Sequence, residues 1–281
     1  MSLPVASCLA LIAAFAAADG NSGRIGVPGV AYACLFQGAP QDCGFIEQAK
    51  APGRATMVEA AGMRGVRLHT RPGDSHVDGS REAERNDLAL SQRASDCYEG
   101  REHWWAHSIL FPEDYVAPPE STATTWSFGV VADFHNTAPG AGQANFQVTA
   151  MPATAISPDR PTGLGLQIAY GNQARPTLYY APIGPVVKNE WTHFVYHVRW
   201  SAAGDGYFDA WVNGVQKMVY RGPTLYPGQG CYFKLANYHS ALGKPSSVIH
   251  ARVVRGDSAG AVSAGPLEGL RQLRQASRSG R

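Results

Sequence analysis

Along the body of the chain, polar and apolar positions swap with a period of two rather than recurring every three or four residues, as half-buried strands require. The pattern predicts strands over 65–70, 104–111, 126–135, 145–150, 164–170, 191–200, 207–212, 232–238 and 248–254, with no strong amphipathic helix among them. Asn213-Gly214 follows the alternating run 207–212, and that pair suits a type I′ hairpin because both central residues tolerate positive φ. Ala203-Gly204-Asp205-Gly206 turns the chain one strand earlier, so 191–200, 207–212 and 216–220 read as two consecutive antiparallel hairpins. A chain of many short strands buries its apolar faces best by packing two sheets together. The expected fold class is all-β, a two-sheet antiparallel β-sandwich.

Composition supports this. Of 281 residues 44% are hydrophobic and only 16% charged, with Gly (31), Pro (19) and aromatic residues (10%) in place of charge. That mixture suits strands joined by turns and argues against disorder and coiled coil. With 24 basic and 22 acidic residues the net charge is +2, so no global field marks a nucleic-acid or membrane-surface binder.

The ends differ from the body. Leu3, Leu9, Leu11, Ile12 and Phe15 lead to Ala16-Ala17-Ala18 before Asp19, a small-residue cleavage pattern that predicts a secretory signal peptide over 1–18. The apolar stretch is too short for a comfortable membrane span, so no stable membrane insertion is expected. Residues 258–281 are Gly-, Ser-, Ala- and Arg-rich and read as a disordered basic tail, leaving 19–257 as a single domain. Beyond the leader stand Cys34, Cys43, Cys97 and Cys231, an even count that fits an oxidising compartment. Four cysteines allow three pairings; Cys34 and Cys43, with Gly38 and Pro40 between them, suit a local staple that would leave Cys97 to Cys231 as a long-range bridge. The absence of any Cys-x2-Cys pair speaks against zinc.

Several chemistries lack their motifs. The sequence has no phosphate-binding glycine loop or dinucleotide fingerprint. It also lacks the closely spaced carboxylate pair on one strand face that retaining glycoside hydrolysis needs; Glu82 and Glu84 interleave with Arg81 and Arg85 and read as their ion-pair partners. What the strands carry instead is His, Tyr, Arg and Lys. Period two puts Tyr232, Lys234 and Tyr238 on one face of 232–238, with Phe233 and Leu235 on the other. It sends Asp133 and His135 one way and Val130 and Phe134 the other, and pairs Arg81 with Arg85 and Arg67 with His69. His103 and His107 share a face but sit about 13 Å apart in a strand, too far to chelate one metal.

Six segments in order carry a family resemblance: 81–90 (REAERNDLAL), Glu99 to Trp105 followed by Phe111 to Tyr115, Asp133-Phe134-His135, Asn189 to Phe194, Asp209 to Gly214, and Tyr232-Phe233-Lys234 through Tyr238. Together they resemble polysaccharide lyases of the heparin lyase I and glucuronan lyase type, over roughly 60–257. The resemblance implies a concanavalin-like jelly roll and cleavage of a uronate-containing polysaccharide by β-elimination. That reaction needs the carboxylate neutralised, a base for the C5 proton and an acid for the departing O4. Carried over by motif, His135 is the base and Tyr238 the acid, while Arg85 and Lys234 hold the substrate carboxylate. Arg81, Asp133, Arg67, His69 and Tyr232 are the further substrate-binding residues expected.

One departure from the family pattern matters: Gln-Trp-His stands there in place of Asp133-Phe134-His135, so a neutral amide gives way to a carboxyl. A carboxylate at 133 would repel a uronate unless paired or protonated; it would otherwise orient His135, ligate a cation or signal altered activity. The resemblance implies an acidic polysaccharide as the partner of a secreted (extracellular or periplasmic) monomer. It implies no required cofactor and no catalytic metal, and allows a structural Ca2+, for which the loop with Asp74, Asp78 and Gly79 is short of ligands. The alternative reading is a non-catalytic carbohydrate-binding jelly roll, with a glycoside hydrolase third.

Overall fold

A computed structural model describes residues 28–74, 83–120, 127–138, 142–152 and 162–263. The signal-peptide segment 1–18 lies outside the described residues, as do Arg81, Asp78, Gly79 and Trp126.

Among the described residues the chain forms two antiparallel sheets. The first has the order β13 (Val215–Arg221), β12 (Tyr207–Val212), β11 (Trp191–Arg199), β6 (Glu102–Leu110), β15 (Ser246–Gly256), β4 (Met63–Thr70), β3 (Ala55–Ala60), with β1 (Val30–Cys34) also paired to β15. The second runs β10 (Thr177–Gly184), β9 (Leu164–Tyr170), β8 (Phe146–Ala150), β7 (Gly129–Asn136), β14 (Cys231–Ser240), β5 (Ala83–Ala89), β2 (Ile46–Ala49). This is the expected jelly-roll sandwich. All nine expected strands are present, as is the third hairpin strand. Asn213 (φ 49°) and Gly214 (φ 80°) both adopt the left-handed conformation that the β12–β13 turn requires.

The core lies between the sheets. Phe134 and Phe233 from the second sheet meet Trp105, Tyr196, Trp200 and Phe208 from the first, with ring centroids 5.0 to 6.3 Å apart for the contacts Phe134 makes to Phe233 and Tyr196. Each such side chain, fully buried, contributes roughly 1.5–3 kcal/mol. Polar links also cross the gap. Asn237 of β14 donates its amide to the carbonyls of Leu68 and Ser246, and His239 Nε2 lies 2.9 Å from Thr70 Oγ1. These inward residues fix the opposite face of β14 as outward.

Cys34 bonds Cys43, and Cys97 bonds Cys231. The second bridge ties the start of β14 to the segment after α1 (Gln92–Ser95). The expected disordered tail begins within the described residues: 258–263 form a capped turn of helix, α2 (Ala259–Val262), whose Val262 is buried and whose carbonyl accepts from Arg252. Residues 264–281 lie outside the described residues. No helix among the described residues is long and apolar enough to cross a membrane.

Candidate active site

The outward face of the second sheet carries a row of polar side chains across β5, β14, β7, β8 and β9. Alternation places Phe233 and Leu235 in the core and so turns Tyr232, Lys234 and Tyr238 outward. Leu88 and Leu90 of the β5 segment face the core, which turns Arg85 and Asp87 outward. Phe134 does the same for Asp133 and His135, and Phe146, Val148, Leu166 and Ile168 do it for Gln147 and Gln167.

Register decides who meets whom. Tyr238 stands opposite Arg85, and the guanidinium lies over its ring. Phe128 closes the ring from the side, with centroids 4.8 Å apart. Lys234 stands opposite Asp133 on β7, and its Nζ reaches Asp87 Oδ2 at 2.6 Å; Arg85 Nε lies 3.2 Å from the same oxygen. Lys234 and Asp87 are both buried. Burial, the largest influence, disfavours the Lys234 ammonium, yet the carboxylates of Asp87 and Asp133 hold its pKa above the ordinary lysine value. Asp133 shows the reverse: burial pushes its carboxyl up, against the pull of Lys234 and His135.

His135 faces Tyr232, with ring centroids 5.4 Å apart, and its Nδ1 donates to the carbonyl of Asn136 at 3.0 Å. Burial raises the Tyr232 phenol above its ordinary pKa. Tyr238 lies six residues further along β14, about 20 Å of backbone at ~3.3 Å per residue. A register shift between Leu235 and Tyr238 intervenes, which brings Val130 opposite Tyr238. The expected His135–Tyr238 couple over one sugar ring is therefore divided between the two ends of the row. The structure groups Tyr238 with Arg85, and His135 with Tyr232, while Lys234, Asp87 and Asp133 lie between them.

Two expected residues belong elsewhere. Arg67 and His69 sit on β4 of the first sheet, where Val66, Leu68 and Thr70 take the core face and send both outward on the far side of the sandwich. Arg67 pairs with Asp114 and, at 2.9 Å, with Ser247 Oγ, which also lies 2.9 Å from His69 Nδ1. They line no common groove with the row. Glu84 is buried on the core side of β5 and accepts from the Leu242 amide, rather than pairing with Arg85. His103 and His107 are structural: the first bonds Asp96 and Arg255, and the second bonds the Tyr196 hydroxyl inside the core.

The calcium loop does not fit a cation in its described part, because Arg54 engages both oxygens of Asp74 at 2.8 and 3.1 Å. Among the described residues no three His, Cys, Asp or Glu side chains gather to hold a metal.

Asp87, which joins Lys234 and Arg85 in the row, is a residue that the sequence reading did not single out. Gln147 and Gln167 were also missed. Their alternation with Phe146, Val148, Leu166 and Ile168 was the available signal, and the Gln167 amide now donates to Gln147 Oε1 at 3.0 Å. The nearby Asn136 amide is engaged elsewhere, donating to the Gln143 carbonyl and accepting from Gln173.

No curated protein matches the chain. Among solved structures, the fold resembles an endo-β-1,4-glucuronan lyase from the fungus Trichoderma reesei, with TM-score 0.56 and 15% identity over 76% of this chain and 92% of that one. It also resembles the catalytic domain of a GH131 β-glucanase from Podospora anserina, with TM-score 0.51 and 11% identity over 85% of this chain and 89% of that one. Likeness at this identity concerns the fold alone, and one neighbour is a lyase while the other is a glucanase. The sequence profile of the polysaccharide lyase family is more specific: it matches residues 39–253, which take in every residue of the row. The chain belongs to the polysaccharide lyase family, as a jelly-roll enzyme that acts on polysaccharides by lyase chemistry.

Proposed function

We propose that the enzyme cleaves a uronate-containing polysaccharide by β-elimination along the outward row of the second sheet, after export to an oxidising compartment. The observation that carries this reading is the Arg85–Tyr238 contact beside the Lys234–Asp87 pair, which sets a proton-transferring phenol next to fixed cations. Arg85 and Lys234 hold the uronate carboxylate, which makes the neighbouring C5 proton acidic. Tyr238 as phenolate takes that proton, the C4–O4 bond breaks as the C4–C5 double bond forms, and the phenol returns the proton to the departing O4. The two disulfides support export.

A second arrangement is favoured by the His135–Tyr232 contact. There the imidazole takes the C5 proton, and Tyr232, whose burial keeps it protonated, gives its proton to the departing O4 as the C4–O4 bond breaks.

A panel of glucuronan, alginate and glycosaminoglycan tests both, read by the ultraviolet absorbance of the unsaturated uronate end and by new reducing ends. Absorbance growth abolished by Tyr238→Phe supports the first arrangement. Loss confined to Tyr232→Phe and His135→Asn selects the second. New reducing ends without absorbance, on a neutral glucan, would overturn the uronate reading.

A further inference from the structure

Asp133 sits at the middle of the row, on the strand between β14 and β8, directly opposite Lys234 on one side and Gln147 on the other. Its Oδ1 is buried and has no hydrogen-bond partner among the described residues. The groups around it are otherwise occupied. Lys234 is held by Asp87 at 2.6 Å, and Asp87 also serves Arg85. Gln147 Oε1 accepts from both Gln143 and Gln167. The titratable and charged neighbours are His135 on β7 itself, Tyr232 and Lys234 on β14, and Arg85 and Asp87 on β5; β8 contributes the neutral Gln147.

Charge counting then limits what Asp133 can be when substrate arrives. Arg85 and Lys234 against Asp87 leave one positive charge. An ionised Asp133 cancels it, and a uronate would enter a neutral cluster that already holds two carboxylates. A protonated Asp133 preserves the positive charge and adds an O–H that donates to the incoming carboxylate. Closely placed carboxyl groups relieve their repulsion by keeping a proton. Given a uronate polymer as substrate, the reading on which this rests, we propose that Asp133 receives the substrate carboxylate as a neutral acid, so that docking draws a proton onto this residue. Burial of the carboxyl works in the same direction.

The test is proton uptake on binding. In a Tyr238→Phe background, a glucuronate tetrasaccharide and a mannuronate tetrasaccharide are titrated calorimetrically at neutral pH in two buffers of different ionisation enthalpy. Binding is expected to take up close to one proton with Asp133 present and none in Asp133→Asn, which has the same shape but no titrating group. In the enzyme with Tyr238 intact, KM is expected to rise by about tenfold per pH unit above the titration of Asp133, and to stay flat in Asp133→Asn. A His135→Gln variant that retains the uptake supports Asp133 independently, should the Asp133→Asn variant fold poorly. Equal uptake with and without the Asp133→Asn change, uptake lost only in His135→Gln, or binding without any uptake would overturn the inference. Failure of both tetrasaccharides to bind, with a neutral glucan oligomer bound instead, is a different result and sinks the uronate reading itself.

Discussion

The guanidinium carbon of Arg85 lies 4.4 Å from the centre of the Tyr238 ring, a contact that follows from register, since the two residues are directly opposed in the β5–β14 pair. Tyr238→Phe removes only the hydroxyl and leaves the packing of the ring against Phe128 and Arg85. It should lower kcat by about 10²- to 10⁴-fold, the usual size of a lost acid–base group, with binding of the polymer retained. Arg85→Lys keeps the charge but loses the planar contact with the ring, and should raise KM as well. Steady-state kinetics by product absorbance checks both. A Tyr238→Phe enzyme with unaltered kcat would remove Tyr238 from the chemistry.

Lys234 and Asp87 form a buried ion pair, and removing one partner strands the other's charge. Asp87→Asn should cost about 3–5 kcal/mol in urea unfolding. The double change Asp87→Asn with Lys234→Met should cost less than Asp87→Asn alone, because the buried ammonium that lost its closest carboxylate is then removed as well. A double-mutant cycle measures the coupling; strictly additive costs would mean that the two side chains do not act as a pair.

How far the sequence reached depends on which strands alternate cleanly. β14 was legible because Phe233 and Leu235 separate Tyr232, Lys234 and Tyr238 in strict period two. β5 was not picked out as a strand, because Glu84 and Asn86 are polar on its core side while Arg85 and Asp87 are polar and deeply covered on the other. The pattern therefore shows no apolar face until Leu88. β1, β2, β3 and β10 were missed as well. β3 and β10 are edge strands with half-exposed residues, and β10 contains Pro182, which breaks the strand signal. Parity correctly put Asp133, His135, Lys234 and Tyr238 on one kind of face, but parity says nothing about register. The offset that joins His135 to Tyr232, with the register shift at Leu235–Tyr238, is set by how neighbouring strands pair. For the same reason, Arg67 and His69 had the right parity on the wrong sheet.

The two disulfides should differ in weight. Cys97–Cys231 closes a separation of 134 residues and Cys34–Cys43 one of 9. The chain-entropy cost that a cross-link removes from the unfolded state grows with loop length. Replacing Cys97 and Cys231 by Ala should therefore cost about 2–5 kcal/mol, and replacing Cys34 and Cys43 distinctly less. Chemical denaturation of each double variant checks the order. A larger loss from the short loop would indicate that local packing around Phe36 and Phe45, rather than loop closure, sets the contribution.

Buried histidines make stability fall in acid. His103, His239 and His250 have pKa values lowered to about 4, with burial the leading cause in each. Burial keeps His250 and His239 neutral although His250 Nε2 donates to the Ala236 carbonyl and His239 Nδ1 to that of Ser240, bonds that pull the other way; for His103 the neighbouring Arg255 adds to the effect of burial. In the unfolded chain they titrate near the ordinary histidine value of about 6.5. The unfolded state thus gains protons first as pH falls, so their contribution is fully present above about pH 6.5 and is lost progressively down to about pH 4. Within that window the loss grows with each pH unit, because each ring that protonates on unfolding adds to it. Urea midpoints measured from about pH 7 to about pH 4.5 should drop steeply below the ordinary histidine value. His250→Gln, whose amide still donates to Ala236, should reduce the slope by about one histidine's share. A midpoint that stays level across this window would mean that these rings already carry their protons in the folded protein.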